Sequence, residues 1–165
     1  MAYPLIGGST TCASIAGEGV AALKELLTST SPMGTSTAIP AALRPCTPLA
    51  GEDDLATYEG NVFSVFQGAV QYNLEGRPPY VSDVCDALVG QPHEHIAPLQ
   101  ALALAVALFA NSTSPPATCV PSSWAKDNIG SLTNITFDGE SSSRQWIWQS
   151  CNEFGFFQTT SGADV

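Results

Sequence analysis

The sequence predicts an all-α protein, a bundle of three to five helices stapled by disulfides. Three observations carry that expectation. Apolar residues recur at helical spacing in successive segments, and breaker clusters separate them. Alternating apolar and polar hairpins are absent, and no repeat of 20–50 residues is visible. Five Cys stand in a chain of 165 residues with only 12% charged side chains, a composition suited to an oxidising compartment.

The first helix rests on Cys12, Ala16, Val20, Leu23 and Leu27, which form one stripe of a 3.6-residue period. Thr28-Ser29-Thr30-Ser31-Pro32 ends it, and Cys12 faces inward as half of a disulfide would. Ser31 to Pro48 reads as a loop with one helical turn at Ala41 to Arg44. A second helix opens on Glu52-Asp53-Asp54, acids that the helix dipole favours, and continues through Leu55, Tyr58, Val62, Phe66, Ala69 and Tyr72. It stops near Asn73 to Gly76.

Ser82 is the expected cap of a third helix bearing Val84, Cys85, Leu88 and Val89, with Gly90 as its stop. A fourth runs from Glu94 or Ile96 to Phe109 and is apolar on every side, the mark of a helix buried nearly all round. Thr113 to Ser143 reads as irregular. Arg144 to Phe157 fits neither period cleanly and is assigned to helix.

At this length one domain with a substantial core is expected. Hydrophobic residues make up 44% of the chain, which argues against disorder. Fifteen acids against five Lys and Arg leave a net charge of −10, so nucleic acid is not an expected partner. The longest apolar run, Ala97 to Ala110, falls short of the roughly 20 residues a bilayer requires, so no membrane span is expected. Met1 to Gly8 has neither the basic start nor the apolar length of a signal peptide. Asn111-Ser112-Thr113 and Asn134-Ile135-Thr136 nevertheless match the glycosylation acceptor, which places the chain in the secretory pathway, in a lysosome, a vacuole or the extracellular space.

No residue is assigned a catalytic role. Gly7-Gly8-Ser9-Thr10-Thr11 approximates a nucleophile elbow, but Thr11 is β-branched where that turn needs a small residue, so Ser9 reads as a loop serine before a helix. His93 and His95 follow Pro92 at the start of a helix, where positions two apart diverge, so no metal and no cofactor is expected. With five Cys, two internal bridges and one leftover can be drawn in fifteen ways. Cys151 is the expected leftover because it lies closest to the end of the chain.

Arg144 to Phe157 packs two of the three Trp and three of the seven Phe into fourteen residues. So dense an apolar stretch needs a partner surface, and the chain is expected to be an internal piece of a larger protein. Within it, Trp146, Gln149, Cys151, Glu153 and Phe154-Gly155 resemble the W-x-x-Q-x-C-x-E-F-G signature of the prolylcarboxypeptidase family of serine peptidases, which includes dipeptidyl-peptidase II and the thymus-specific serine protease. Phe63 to Cys85, Cys46-Thr47-Pro48-Leu49, Cys12 and Cys119 extend the resemblance over most of residues 6–157.

That resemblance implies a helical cap inserted into an α/β-hydrolase, with residues 1–143 as the cap and 144–165 as the start of the return into a core lying outside this sequence. It implies the pairs Cys12–Cys85 and Cys46–Cys119. It also implies a parent enzyme, with room for a homodimer, that hydrolyses proline-containing peptides after proline near a chain end, as a carboxypeptidase or a dipeptidyl-peptidase. The family's serine lies upstream of this region and its Asp and His downstream, so the chain alone is expected to be inactive. Trp146, Glu153 and Phe156 are the candidates for its substrate pocket. Each has a plainer reading as core or, for Glu153, as a carboxylate held in a salt bridge or backbone hydrogen bond. The competing functional expectation is a secreted, disulfide-stabilised helical binding module with no catalytic activity.

Overall fold

Nearly all regular structure in the computed structural model is helical; it describes residues 7–29, 38–76, 78–89, 96–136 and 142–155. Helix α1 spans Thr10–Ser29. Ser9 precedes it, and its Oγ accepts the Cys12 N–H at 3.1 Å, which satisfies one of the free donors of the first turn. Cys12, Leu23 and Leu27 of the expected stripe are buried, whereas Ala16 and Val20 are half-buried. Gly19 is buried as well, because the fourth helix crosses α1 at that position.

A 3₁₀ turn at Ala41–Leu43 follows, with Leu43 wholly enclosed. Helix α2 spans Glu52–Gln71 and buries Thr57, Tyr58, Val62, Val65 and Ala69. Tyr72 departs from the expected stripe. It is the residue after the last helical turn, and the chain then bends through Leu74 at φ 63°, leaving the Tyr72 ring 54% exposed. The acids at the start of α2 do more than favour its dipole: Asp54 accepts the N–H of Ala50 at 3.1 Å and that of Trp124 at 2.9 Å.

Helix α3 spans Val81–Val89. Ser82 lies inside its first turn and does not cap it. The cap role falls to Asp83, whose Oδ2 reaches back to the Tyr80 N–H at 2.8 Å, while Asn73 Oδ1 takes the Val81 N–H at 3.1 Å. Val84, Cys85 and Leu88 are buried and Val89 is exposed. Gly90, the expected stop, lies outside the described residues, as do His93, Glu94 and His95.

Helix α4 spans Pro98–Ser112, starting later than Ile96 and ending later than Phe109. Proline sets the start: it suits the first helical position, and it holds the preceding Ala97 extended at φ −60°, ψ 140°. Leu102 and Ala105 are fully enclosed and Ala101, Ala103 and Val106 nearly so, but Leu104 faces outward.

The segment expected to be irregular contains a π-helical stretch, Trp124–Ile129, that runs into the short α5, Gly130–Thr133. None of its residues is buried, so it has no apolar stripe to betray it; it is nucleated instead by polar caps. Ser123 Oγ accepts the Lys126 N–H, and Asp127 accepts those of Ser122 and Ser123 at 2.9 and 2.8 Å. Helix α6, Ser143–Gln149, continues as a π-helical stretch over Ser150–Phe154 and stops at Gly155, which adopts φ 60°.

The core has two adjoining parts. One gathers Leu23, Leu27, Leu43, Tyr58, Val62 and Leu102. The other gathers Cys12, Ala69, Val84, Cys85, Leu88 and Ala105. Phe66 and Phe109 pack against both. Among the described residues no helix is long and apolar enough to cross a membrane.

Candidate functional site

Two disulfides fix the bundle that carries the candidate surfaces. Cys12 joins Cys85, tying α1 to α3, and Cys46 joins Cys119, tying the loop before α2 to the segment after α4. These are the pairs the sequence resemblance implies. Each spans 73 residues, a loop whose closure stabilises the fold by about 4 kcal/mol on chain-entropy grounds.

A polar seam reinforces the second bridge. Pro45 and Val120 form a parallel β-bridge, with the Cys46 N–H donating to Val120 O and the Val120 N–H to Arg44 O, both at 2.8 Å. Ser122 is fully enclosed; its Oγ donates to Thr47 O at 2.9 Å and accepts the Thr47 N–H at 3.0 Å. Asn61 donates to Pro121 O, and Asn128 donates to the Thr57 hydroxyl, so α2 and the Trp124–Thr133 segment are held to this seam. Ser122 is thus a structural serine. Beneath it, the Tyr58 hydroxyl donates to Leu43 O, and burial pushes its phenol well above the ordinary range, with the neighbouring Glu59 carboxylate adding to the shift.

Among the described residues nothing activates Ser9 as a nucleophile, and its oxygen accepts the Cys12 N–H at the head of α1. Among the described residues no cluster of three or more His, Cys, Asp or Glu is placed to hold a metal.

Trp146 and Phe154 of the C-terminal signature come together on one exposed ridge. Trp146, Ile147 and Trp148 of α6 and Phe154 beyond it are all exposed, and the Trp146 and Phe154 rings stand 6.2 Å apart, tilted by 47°. Glu153 is exposed as well. Phe156 lies outside the described residues. Cys151 is exposed and carries a free thiol. Ser150 alone of this ridge is buried.

Sequence reasoning passed over a second surface. Ala56, Gly60 and Phe63 of α2 face Val20, Ala21, Lys24 and Thr28 of α1 across a groove of about 690 Å³. Phe63 and Val70 are both exposed on the outer side of α2. The signal was present as a second apolar stripe on α2, masked by the stronger one that faces the core.

Residues 5–165 match the family of serine carboxypeptidases S28. The thymus-specific serine protease of Homo sapiens is 30% identical over 159 residues, covering 93% of this chain and 30% of that protein. Its Mus musculus counterpart is 28% identical over 164 residues, covering 95% of this chain and 31% of its own length. A Caenorhabditis elegans protein described as a serine protease is 28% identical over 120 residues, 65% of this chain and 22% of that one. The chain therefore spans under a third of the length of these relatives. No solved structure matches it significantly. Matched over nearly its whole length, the chain belongs to the serine carboxypeptidase S28 family.

Proposed function

We propose that residues 1–143 are the helical cap of a serine exopeptidase acting after proline, and that residues 144–165 lead back into its α/β-hydrolase core. The observation that carries this reading is a mismatch of extent. A helical bundle matches the peptidase family from residue 5 to 165, yet spans only 22–31% of the relatives' length. The remaining length has room for a catalytic core, which this bundle would cover.

In such a parent the serine oxygen attacks the carbonyl carbon of the bond after proline. A histidine takes the serine proton and returns it to the leaving amine, oriented by an aspartate. All three would lie in the core. The cap would close the cleft, admit only chain ends and supply subsite walls. The exposed ridge of Trp146 and Phe154 supports this role, since contiguous exposed apolar surface marks an interaction site. The exposed Glu153 carboxylate would then meet the free amino group of a dipeptidyl substrate, and Phe156 would line the proline pocket. The two disulfides favour a secretory compartment, in a lysosome, a vacuole or outside the cell.

The test is a fluorophosphonate probe on the purified 165-residue protein. No labelling is expected, whereas the product of the extended reading frame labels on a serine outside residues 1–165. Stoichiometric labelling of Ser9 would overturn the reading. One observation favours the rival binding module: among the described residues every buried side-chain nitrogen and oxygen has a partner, as in a finished domain. That module stays monodisperse at high concentration, whereas the cap alone self-associates through Trp146, Trp148 and Phe154.

A further inference from the structure

The last turn of α4 places Asn111 on the rim of a groove that the peptidase reading does not use. Asn111, Ser112 and Leu108 line one side; Pro78-Pro79 and Asp83, Asp86 and Ala87 of α3 line the other of a wide-open depression of about 640 Å³. A second groove of about 400 Å³ shares Pro78, Pro79 and Ser112 and adds Tyr72, Glu75 and Phe109. Together they make a shallow trough with proline and aromatic rings on its floor and carboxylates along its edge.

The side-chain roles within Asn111-Ser112-Thr113 are unequal. Ser112 Oγ donates to Phe109 O at 2.7 Å. Thr113 Oγ1 donates to Ala110 O at 2.8 Å and accepts the Ala117 N–H at 3.0 Å. These hydroxyls finish the helix. The exposed Asn111 amide hydrogen-bonds to no described residue. Asn134 differs, since its Oδ1 already accepts the Thr136 N–H at 3.0 Å.

We propose that Asn111 carries an N-linked oligosaccharide whose first N-acetylglucosamine units lie in the groove between Pro78-Pro79 and α3. The chemistry of the walls suits such a ligand. The C–H faces of a pyranose ring pack against proline and aromatic rings, and its hydroxyls donate to carboxylates. Asp83 Oδ2 is engaged by the Tyr80 N–H, which leaves its second oxygen as an acceptor, and Asp86 is exposed. The occupant is tethered at the rim, where its effective concentration is high, so a weak affinity of the groove is enough to fill it. The ring faces and Leu108 are then covered.

The modifying step uses a lipid-pyrophosphate-linked oligosaccharide, the donor of the secretory pathway. A bond forms between C1 of its first sugar and Asn111 Nδ2. The C1–O bond to pyrophosphate breaks, the lipid pyrophosphate leaves with that electron pair, and it takes up the proton lost by the amide nitrogen.

This inference rests on the secretory-compartment part of the functional reading and is independent of the peptidase part. The test directs the whole 165-residue chain through the secretory pathway of a eukaryotic host with a supplied export signal, followed by glycopeptide mass spectrometry. Asn111 is expected to be occupied. An amidase that releases N-glycans should strip the native protein more slowly at Asn111 than at Asn134. Its removal should lower Tm by about 3 °C, and Asn111→Gln should fold with the same lowered Tm, whereas Asn134→Gln leaves Tm unchanged. A bare Asn111, or an occupied one whose sugar is released freely with no change in Tm, overturns the proposal. Fluorophosphonate labelling at Ser9 would sink the peptidase reading and leave this one standing.

Discussion

Gly19 of α1 and Leu102 of α4 approach so closely that a methyl group on Gly19 would lie 2.8 Å from the Leu102 Cβ and 2.9 Å from the Pro98 carbonyl oxygen. The crossing of the two helices depends on the absence of a side chain there. Gly17, two positions earlier on the same helix, faces open space, and a methyl group on it would meet nothing within 4 Å.

The two glycines therefore respond oppositely to alanine. Gly17→Ala gains helix propensity and stabilises by about 0.5–1 kcal/mol. Gly19→Ala gains the same propensity but overpacks the crossing, for a net loss of about 1–2 kcal/mol. Chemical denaturation of both variants checks the pair, and equal effects of one sign would show that the crossing is not tight.

Ser122→Ala removes the buried hydroxyl that serves Thr47 on both sides, leaving the Thr47 N–H without its partner. A loss of about 2 kcal/mol is expected. Ser122→Thr adds a methyl where the side chain is fully enclosed, so it should not rescue the variant. Thermal unfolding at fixed ionic strength reads both.

Reduction should open the disulfides in order. Cys46 is exposed and Cys119 half-buried, whereas Cys12 and Cys85 are 6% and 9% exposed. Thiolate attack needs access to sulfur. Limited reductant followed by alkylation should label Cys46 and Cys119 first, with Cys151 labelled before any reductant is added. Simultaneous labelling of all four would mean that the α1–α3 contact opens as readily as the surface.

Tyr58 makes stability sensitive to alkali. Its phenol is raised in the folded protein above its ordinary value of 10.0, so between that pH and the folded value the unfolded chain loses the proton and the folded one keeps it. Stability is fully present below pH 10.0 and falls above it, by up to about 1.4 kcal/mol per pH unit. Tyr58→Phe costs about 1–2 kcal/mol at neutral pH through the lost bond to Leu43 O, and should flatten the alkaline slope. An unchanged slope would assign it to another group.

Much of the architecture was legible in the chain. The stripes of α1 and α2 come from residues three or four apart, a periodicity that any 15-residue window displays. The C-terminal signature marked Trp146, Glu153 and Phe154, but their exposure could not be read from it, because apolar character does not say whether a neighbour exists to bury it. The Trp124–Thr133 segment escaped notice for the converse reason: polar caps hold it, and it has no buried face.

Local pattern along the chain was enough for the helical class, the segments that form α1 to α4, and a repertoire of cysteines rich enough for two staples. Three other features exist only because distant segments meet in the fold: Gly19 is a crossing point, Ser122 is locked to Thr47, and Asp54 holds the Trp124 amide. Helix formation draws on interactions within a few residues, so its pattern is written locally. Close approach and long-range hydrogen bonds join positions 70 to 83 residues apart, and no local pattern encodes which partner the folded chain will bring.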